Sequence, residues 1–210
     1  MAFETFAVHA ACIRGVEAIH VTVEVSLAGG VPGIQMLGIP SMEVMESRGR
    51  IRCAMRSAGF EIPRSGITVN LAPGDIRKTG SGFDLPIAIA VLAADGQIPR
   101  DNLDRCLIAG ELGLDGTVLP VKGEVAFQLL ARDMGLSFIA GRCRLRALIA
   151  ALSTICLSLL AAWAMPCVII WIPRVLRRPL SPNSTMPMCW GRKSLNAAWR
   201  LRPPASSACS

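Results

Sequence analysis

The 210-residue chain has no tyrosine, two histidines (His9 and His20), three lysines (Lys78, Lys122 and Lys193) and no acidic residue after Asp133. Two isolated histidines are too few for a metal centre or a Ser-His-Asp triad, so both are expected on strand surfaces without partners. The eight cysteines show no Cys-x-x-Cys or Cys/His spacing, which argues against a zinc site, and their uneven spread argues against a disulfide scaffold. Cys12, Cys53 and Cys106 are expected to be small buried apolar residues. Met1-Ala2-Phe3-Glu4 has no basic region followed by an apolar one, so it does not read as a signal peptide, and a reducing cytoplasm is the expected compartment.

The missing acids define a seam near residue 143. Residues 1–142 carry 13 Lys/Arg against 15 Asp/Glu, whereas residues 143–210 carry 9 against none. All four tryptophans and five of the eight cysteines also lie in that last part. The formal charge of +7 therefore belongs to the tail, which weakens the inference of nucleic-acid binding for the front part. Two segments are expected: a domain over 1–142, long enough to bury a core, and a different kind of sequence over 143–210.

Within the front part, residues 21–27 (VTVEVSL) alternate apolar and polar and read as a half-buried strand. Gly29-Gly30 gives a turn, and residues 33–39 read as a second strand. Ser41 is a helix N-cap candidate; Val44, Met45, Ile51 and Met55 follow at roughly helical spacing up to a stop at Ser57-Ala58-Gly59. Arg48, Arg50, Arg52 and Arg56 on that helix are expected to be solvated and paired with Glu43 and Glu46. Residues 67–71 form a strand ending at Pro73-Gly74. The glycine-rich, basic run 77–82 precedes an apolar stretch, 83–94. It lacks the GxxxxGK[ST] order of a nucleotide loop and reads as a tight strand-to-helix turn. Asp115-Gly116 is a hairpin signal between two strand-like runs in 107–119. A helix over 124–134 and a strand over 137–140 complete a mixed α/β (α+β) domain with short connections. Asp101, Asp104 and Arg105 read as a solvated turn.

Several of these segments resemble the N-terminal domain of the Mg-chelatase-like AAA+ proteins of the ComM/YifB type, associated with bacterial competence. The matching residues are Gly38-Ile39-Pro40, Glu46-Ser47-Arg48 and Arg50-Ile51-Arg52, the block ITVNLAPGDIRKTGSGFDLPIAIAVLAADGQIP over 67–99, and the runs 110–116 and 119–123. Ser41, where the family usually has Asp, and Gly49 and Thr79, where it usually has acids, depart from the pattern. The resemblance implies a ribosomal-S5-domain-2-like fold, shared with the Lon protease catalytic domain. Lon-type peptidases use a Ser nucleophile and a Lys base. An ungapped register places Asp84 and Phe127 at those two positions, so no enzyme activity is expected; only Ser81 and Lys122 lie nearby in sequence. In complete relatives ATP and Mg²⁺ are handled by a downstream module, and hexameric rings act on DNA. No catalytic, cofactor-binding or metal-ligating residue is assigned here. The candidate contacts to DNA or to like subunits are Arg48, Arg52, Arg77 and Lys78.

The tail admits two readings. Residues 147–173 carry no charge and are flanked by Arg144, Arg146, Arg174, Arg177 and Arg178, as a transmembrane helix would be. The chain would then be membrane-anchored. Alternatively, the tail is out of frame. Rereading 188–203 (MCWGRKSLNAAWRLRP) one base over, with free synonymous choice, allows VLGQEVAKRGLEVAA, which resembles the family stretch preceding its ATP site. The same shift turns 152–167 into the polar EHHLPVAAGGVGDAL. The slip would lie near residues 141–147. Poor packing against the front domain, disorder near the C-terminus and an aggregation liability are expected. A third possibility is a basic DNA-binding module carried by the tail arginines. The Walker-like Gly191-Arg192-Lys193-Ser194 has Met186 in place of the first glycine and an inserted arginine.

Overall fold

The computed structural model describes residues 4–155 and 168–171. All of them belong to the first of the chain's two units, Met1–Arg177. β1 (Glu4–Arg14) and β2 (Glu17–Ala28) form a long antiparallel hairpin, paired from Glu4↔Leu27 to Arg14↔Glu17. β3 (Gly33–Leu37) leads through α1 (Met42–Ser57) to β4 (Gly66–Ala72), which runs parallel to β3 and antiparallel to β2. α2 (Asp84–Ala94) follows, then β5 (Cys106–Ile108) and the short strands β6 (Glu111–Leu112) and β7 (Thr117–Leu119). The remaining elements are α3 (Glu124–Asp133), β8 (Ser137–Gly141), β9 (Cys143–Arg144), α4 (Leu145–Ile155) and β10 (Val168–Trp171). The main sheet has the order β10-β8-β5-β1-β2-β4-β3, and β6-β7-β9 form a second sheet.

Period-2 alternation sends Val8, Ala10 and Cys12, Val21, Val23 and Val25, Ile34 and Met36, and Ile67, Val69 and Leu71 to one face of the main sheet, where all are buried. That face is covered by α1, α2 and α4. All eleven residues of α2 are buried, as an all-round apolar helix requires. On the other face α3 packs Phe127 and Ala131 against Ala11, Leu107, Ala109, Phe138 and Ala140. Beyond α3 this face stays open, with Thr5, Ala7 and Glu24 exposed.

The expected α/β class holds. Ser41 caps α1: its hydroxyl accepts from the Val44 N–H at 3.4 Å. The second strand stops at Leu37 rather than Ile39, because Gly38 and Ile39 both turn to positive φ (91° and 52°). A Cβ on Gly38 would lie 2.1 Å from the Leu71 carbonyl oxygen, so only glycine fits there.

The composition seam at 142/143 is not a break in the fold of the described residues. β9 pairs with β7, and α4 buries Leu145, Leu148 and Ile149 in the core, against the expectation of poor packing. These residues and Leu152 recur at i, i+3, i+4 and i+7, an amphipathic helical stripe. α4 ends at Ile155, and Val168–Trp171 pairs antiparallel with β8, so residues 147–173 are not one membrane-spanning helix. Among the described residues no helix is long and apolar enough to cross a membrane. The expected C-terminal disorder and the Walker-like run 191–194 lie outside the described residues.

Candidate functional site

Most of the motif residues converge where α1, α2 and the small sheet meet. Asp84 opens α2 and is fully buried. Arg50 reaches it from α1 with two parallel bonds, Nε to Oδ2 at 2.7 Å and Nη2 to Oδ1 at 3.1 Å. The Leu112 N–H adds a third donor at 3.3 Å. Burial pushes the Asp84 carboxyl above the usual carboxylate range, while the guanidinium opposes that shift; the bidentate bonds to Asp84 hold Arg50 above its ordinary value. Beside them the Ser81 hydroxyl donates to Glu111 at 2.7 Å, and the Glu43 carboxylate accepts the Gly80 N–H at 3.1 Å. The Leu85 N–H donates to the Gly110 carbonyl at 3.0 Å, and the Gly110 N–H to Gly82 at 3.1 Å. Three chain segments distant in sequence are thus joined by one polar network. Arg50 was expected to pair with Glu43 or Glu46; its carboxylate partner is Asp84, 34 positions away.

The residues at the Lon-type dyad positions are tied up in packing. Asp84 holds Arg50, and Phe127 stacks on Phe138 with ring centroids 6.3 Å apart. The Ser81 hydroxyl donates its hydrogen bond to Glu111.

The four candidate contact residues separate. Arg48 is exposed, with Nε donating to the Met45 carbonyl at 2.9 Å; Arg52 is half-exposed and Arg77 exposed. Lys78 is fully buried, which overturns its assignment as a surface contact. Its Nζ donates to the Pro73 carbonyl, and burial pushes its ammonium below the ordinary lysine value. Its backbone stitches the loop to the start of α1: the Lys78 N–H donates to Ile39 at 3.2 Å, and Ser41 donates to the Lys78 carbonyl at 2.9 Å. Adjacent in sequence, Arg77 and Lys78 part in the fold, one exposed and the other buried. The Pro40↔Lys78 bridge, which turns Lys78 inward, leaves no trace in a single sequence.

On the open sheet face, a depression of about 430 Å³ is lined by Thr5, Ala7, Glu24, Ser26, Thr68 and Asn70 among others. The Asn70 amide donates to Glu24 at 2.8 Å within it. His9 and His20, expected to lack partners, bond to each other between Nδ1 and Nε2 at 2.9 Å; burial and the neighbouring ring lower the His20 pKa. Cys12 is buried as expected, whereas Cys53 is exposed. Cys106 is half-buried, and its thiol is pushed up to about 12 by desolvation. Among the described residues no group of three or more His, Cys, Asp or Glu could hold a metal ion.

Residues 23–140 match the protein family described as subunit ChlI of Mg-chelatase. The uncharacterised protein YifB of Escherichia coli is 42% identical over 135 residues, which is 64% of this chain and 27% of that protein. The competence protein ComM of Haemophilus influenzae is 42% identical over 125 residues, 60% of this chain and 25% of that protein. An uncharacterised protein of Mycobacterium bovis is 37% identical over 123 residues, 59% and 24% of the two chains. The matched segment thus spans about a quarter of the length of these curated relatives. The family match covers more than half of the chain and includes Arg50, Asp84, Ser81 and Glu111 of the α1–α2 junction, and on that ground the chain belongs to the Mg-chelatase ChlI-like family, in its ComM/YifB branch.

Proposed function

We propose that this chain is a non-catalytic N-terminal domain of a ComM/YifB-type AAA+ protein, acting in assembly or substrate guidance rather than in chemistry. The observation that carries this reading is the use made of the polar motif residues. Asp84, Arg50, Ser81, Glu111 and Glu43 all spend their hydrogen-bonding capacity holding α1, α2 and β6 together. A nucleophile needs an open approach, and Asp84, fully buried with both oxygens held by Arg50, has none. ATP, Mg²⁺, a hexameric ring and DNA belong, in this reading, to a complete protein whose motor module lies beyond the matched segment; its setting is the cytoplasm. In this reading Arg48, Arg52 and Arg77, exposed or half-exposed, are the candidate contacts to DNA or a like subunit. The tail after residue 143 is, in the same proposal, read out of frame, which separates the domain from its motor.

Two measurements test it. Sequencing the coding DNA across codons 138–150 and past the stop should reveal a one-base lesion, with an ATP-binding loop in the restored frame. The purified 210-residue chain should hydrolyse neither ATP nor peptides, whereas the frame-restored protein should hydrolyse ATP. Peptide hydrolysis by the 210-residue chain that disappears in Ser81→Ala or Lys122→Ala would make the domain an enzyme and end this reading.

A further inference from the structure

Among the described residues β3 pairs only with β4, so it forms one edge of the main sheet. Its five residues, Gly33-Ile34-Gln35-Met36-Leu37, carry no charge. The strand therefore lacks the lysines or inward-pointing charges that usually blunt an edge. Leu37, the last residue of the strand, and Ile39 just beyond it are exposed.

α1 is the crossover between the parallel strands β3 and β4, so it lies over that end of the sheet. The two flanks of the helix differ in charge. Glu43, Arg50 and Ser57 all bond toward α2 and the small sheet, to Gly80, Asp84 and the Leu114 carbonyl. Arg48, Arg52 and Arg56, at i, i+4 and i+8, occupy the flank turned away from α2, and because α2 lies over β1 and β2 that is the β3 side of the sheet. None of the three has a carboxylate partner among the described residues. Four helical residues rise about 6 Å. Alternate side chains of a strand are about 6.8 Å apart, nearly the same spacing.

We propose that the β3 edge is a docking site for an extended acidic segment of a partner chain, which adds as an eighth strand. Main-chain bonds to β3 would hold it, and carboxylates at alternate positions would meet Arg48, Arg52 and Arg56. The remaining side chains would face Leu37. An edge of unpaired backbone groups favours a peptide over a nucleic-acid strand, whose phosphates could use only the arginines. This inference does not need the motor reading above, but it assigns Arg48 and Arg52 to a peptide rather than to DNA.

The test uses the full 210-residue chain and a fluorescein-labelled seven-residue peptide alternating Glu with Val or Thr. Fluorescence anisotropy should show saturable binding, weakened at least tenfold when Arg48, Arg52 and Arg56 are all changed to Ser. Amide hydrogen exchange of the unmodified protein should slow in residues 33–37 on adding the peptide. That readout needs no variant. Absence of saturable binding, equal binding of a peptide with Lys in place of Glu, or protection confined to another strand would overturn the proposal. So would an oligothymidylate that competes with the peptide and binds without protecting 33–37; the arginines would then serve a phosphate backbone.

Discussion

Asp84 sits inside the fold only because Arg50 meets it there with matched donors. Removing the guanidinium leaves a buried carboxylate with the Leu112 N–H as its remaining donor. Arg50→Leu should cost about 3 kcal/mol in urea denaturation, and the double variant Arg50→Leu/Asp84→Leu should recover most of it. The sign with pH follows from the raised folded pKa of Asp84. The folded state holds that proton more tightly than the unfolded chain, where the value is near 3.8. Without the guanidinium that opposes the shift, the folded pKa of Asp84 rises further in Arg50→Leu. The loss is therefore full above the variant's folded value and fades as pH falls toward the parent's folded value, itself above 3.8. Lys78 titrates in the opposite sense. Its folded pKa is depressed, so between that value and 10.5 the unfolded chain binds more protons and stability rises with pH. Lys78→Met, similar in length and uncharged, should be at least as stable as the parent at pH 7. Its relative advantage should shrink as pH approaches 10.5. A gap between the two proteins that stays constant over that range would show that the ammonium carries no net cost of burial.

At the scale of elements, legibility followed local chemistry. Ser41 before a 3.6-residue apolar period marked the start of α1, alternation in 67–71 marked β4, and Asp115-Gly116 marked the β6–β7 hairpin. β1 passed unnoticed because small residues, Ala7, Ala10 and Ala11, dilute its alternation; its partner β2 and the overlying α2 supply the burial. The α1–α2 junction was half legible: its residues stood out as motif positions, but the Arg50–Asp84 bond joins residues 34 apart and no local pattern encodes it. Hydropathy read 147–173 as one span because it records apolarity and not period. The described parts divide that run into a helix end and a strand. α4 is the element to test. Leu148 is 1% exposed within the core cluster, so Leu148→Ala should cost about 3 kcal/mol in chemical denaturation. Arg142→Ala, at the single exposed residue between β8 and β9, should change stability by less than about 0.5 kcal/mol. Equal small effects at both sites would mean that α4 contributes nothing to the core.

At the scale of the whole chain, composition and packing disagree about where the domain ends. The charge and tryptophan distributions change at 143, yet the core continues through Ile149 and the sheet gains β10. The two are compatible because apolar burial is non-directional and tolerant of sequence. A helix with leucines and an isoleucine at i, i+3 and i+4 fills its part of the core whatever frame it was read in. Packing of α4 is thus no argument against the out-of-frame reading, and the proposed lesion is no argument against packing. A chain ending at residue 142 separates the two questions. It lacks Leu145, Leu148 and Ile149, each contributing about 1.5–3 kcal/mol when buried, and should melt on the order of 10 °C below a chain ending at 171. Loss of the covering helix should also expose the apolar surface it buries, giving dye binding and concentration-dependent aggregation in the shorter chain alone. Equal melting temperatures would place the boundary of the folding unit at the composition seam. α4 and β10 would then be passengers on a domain already complete at residue 142.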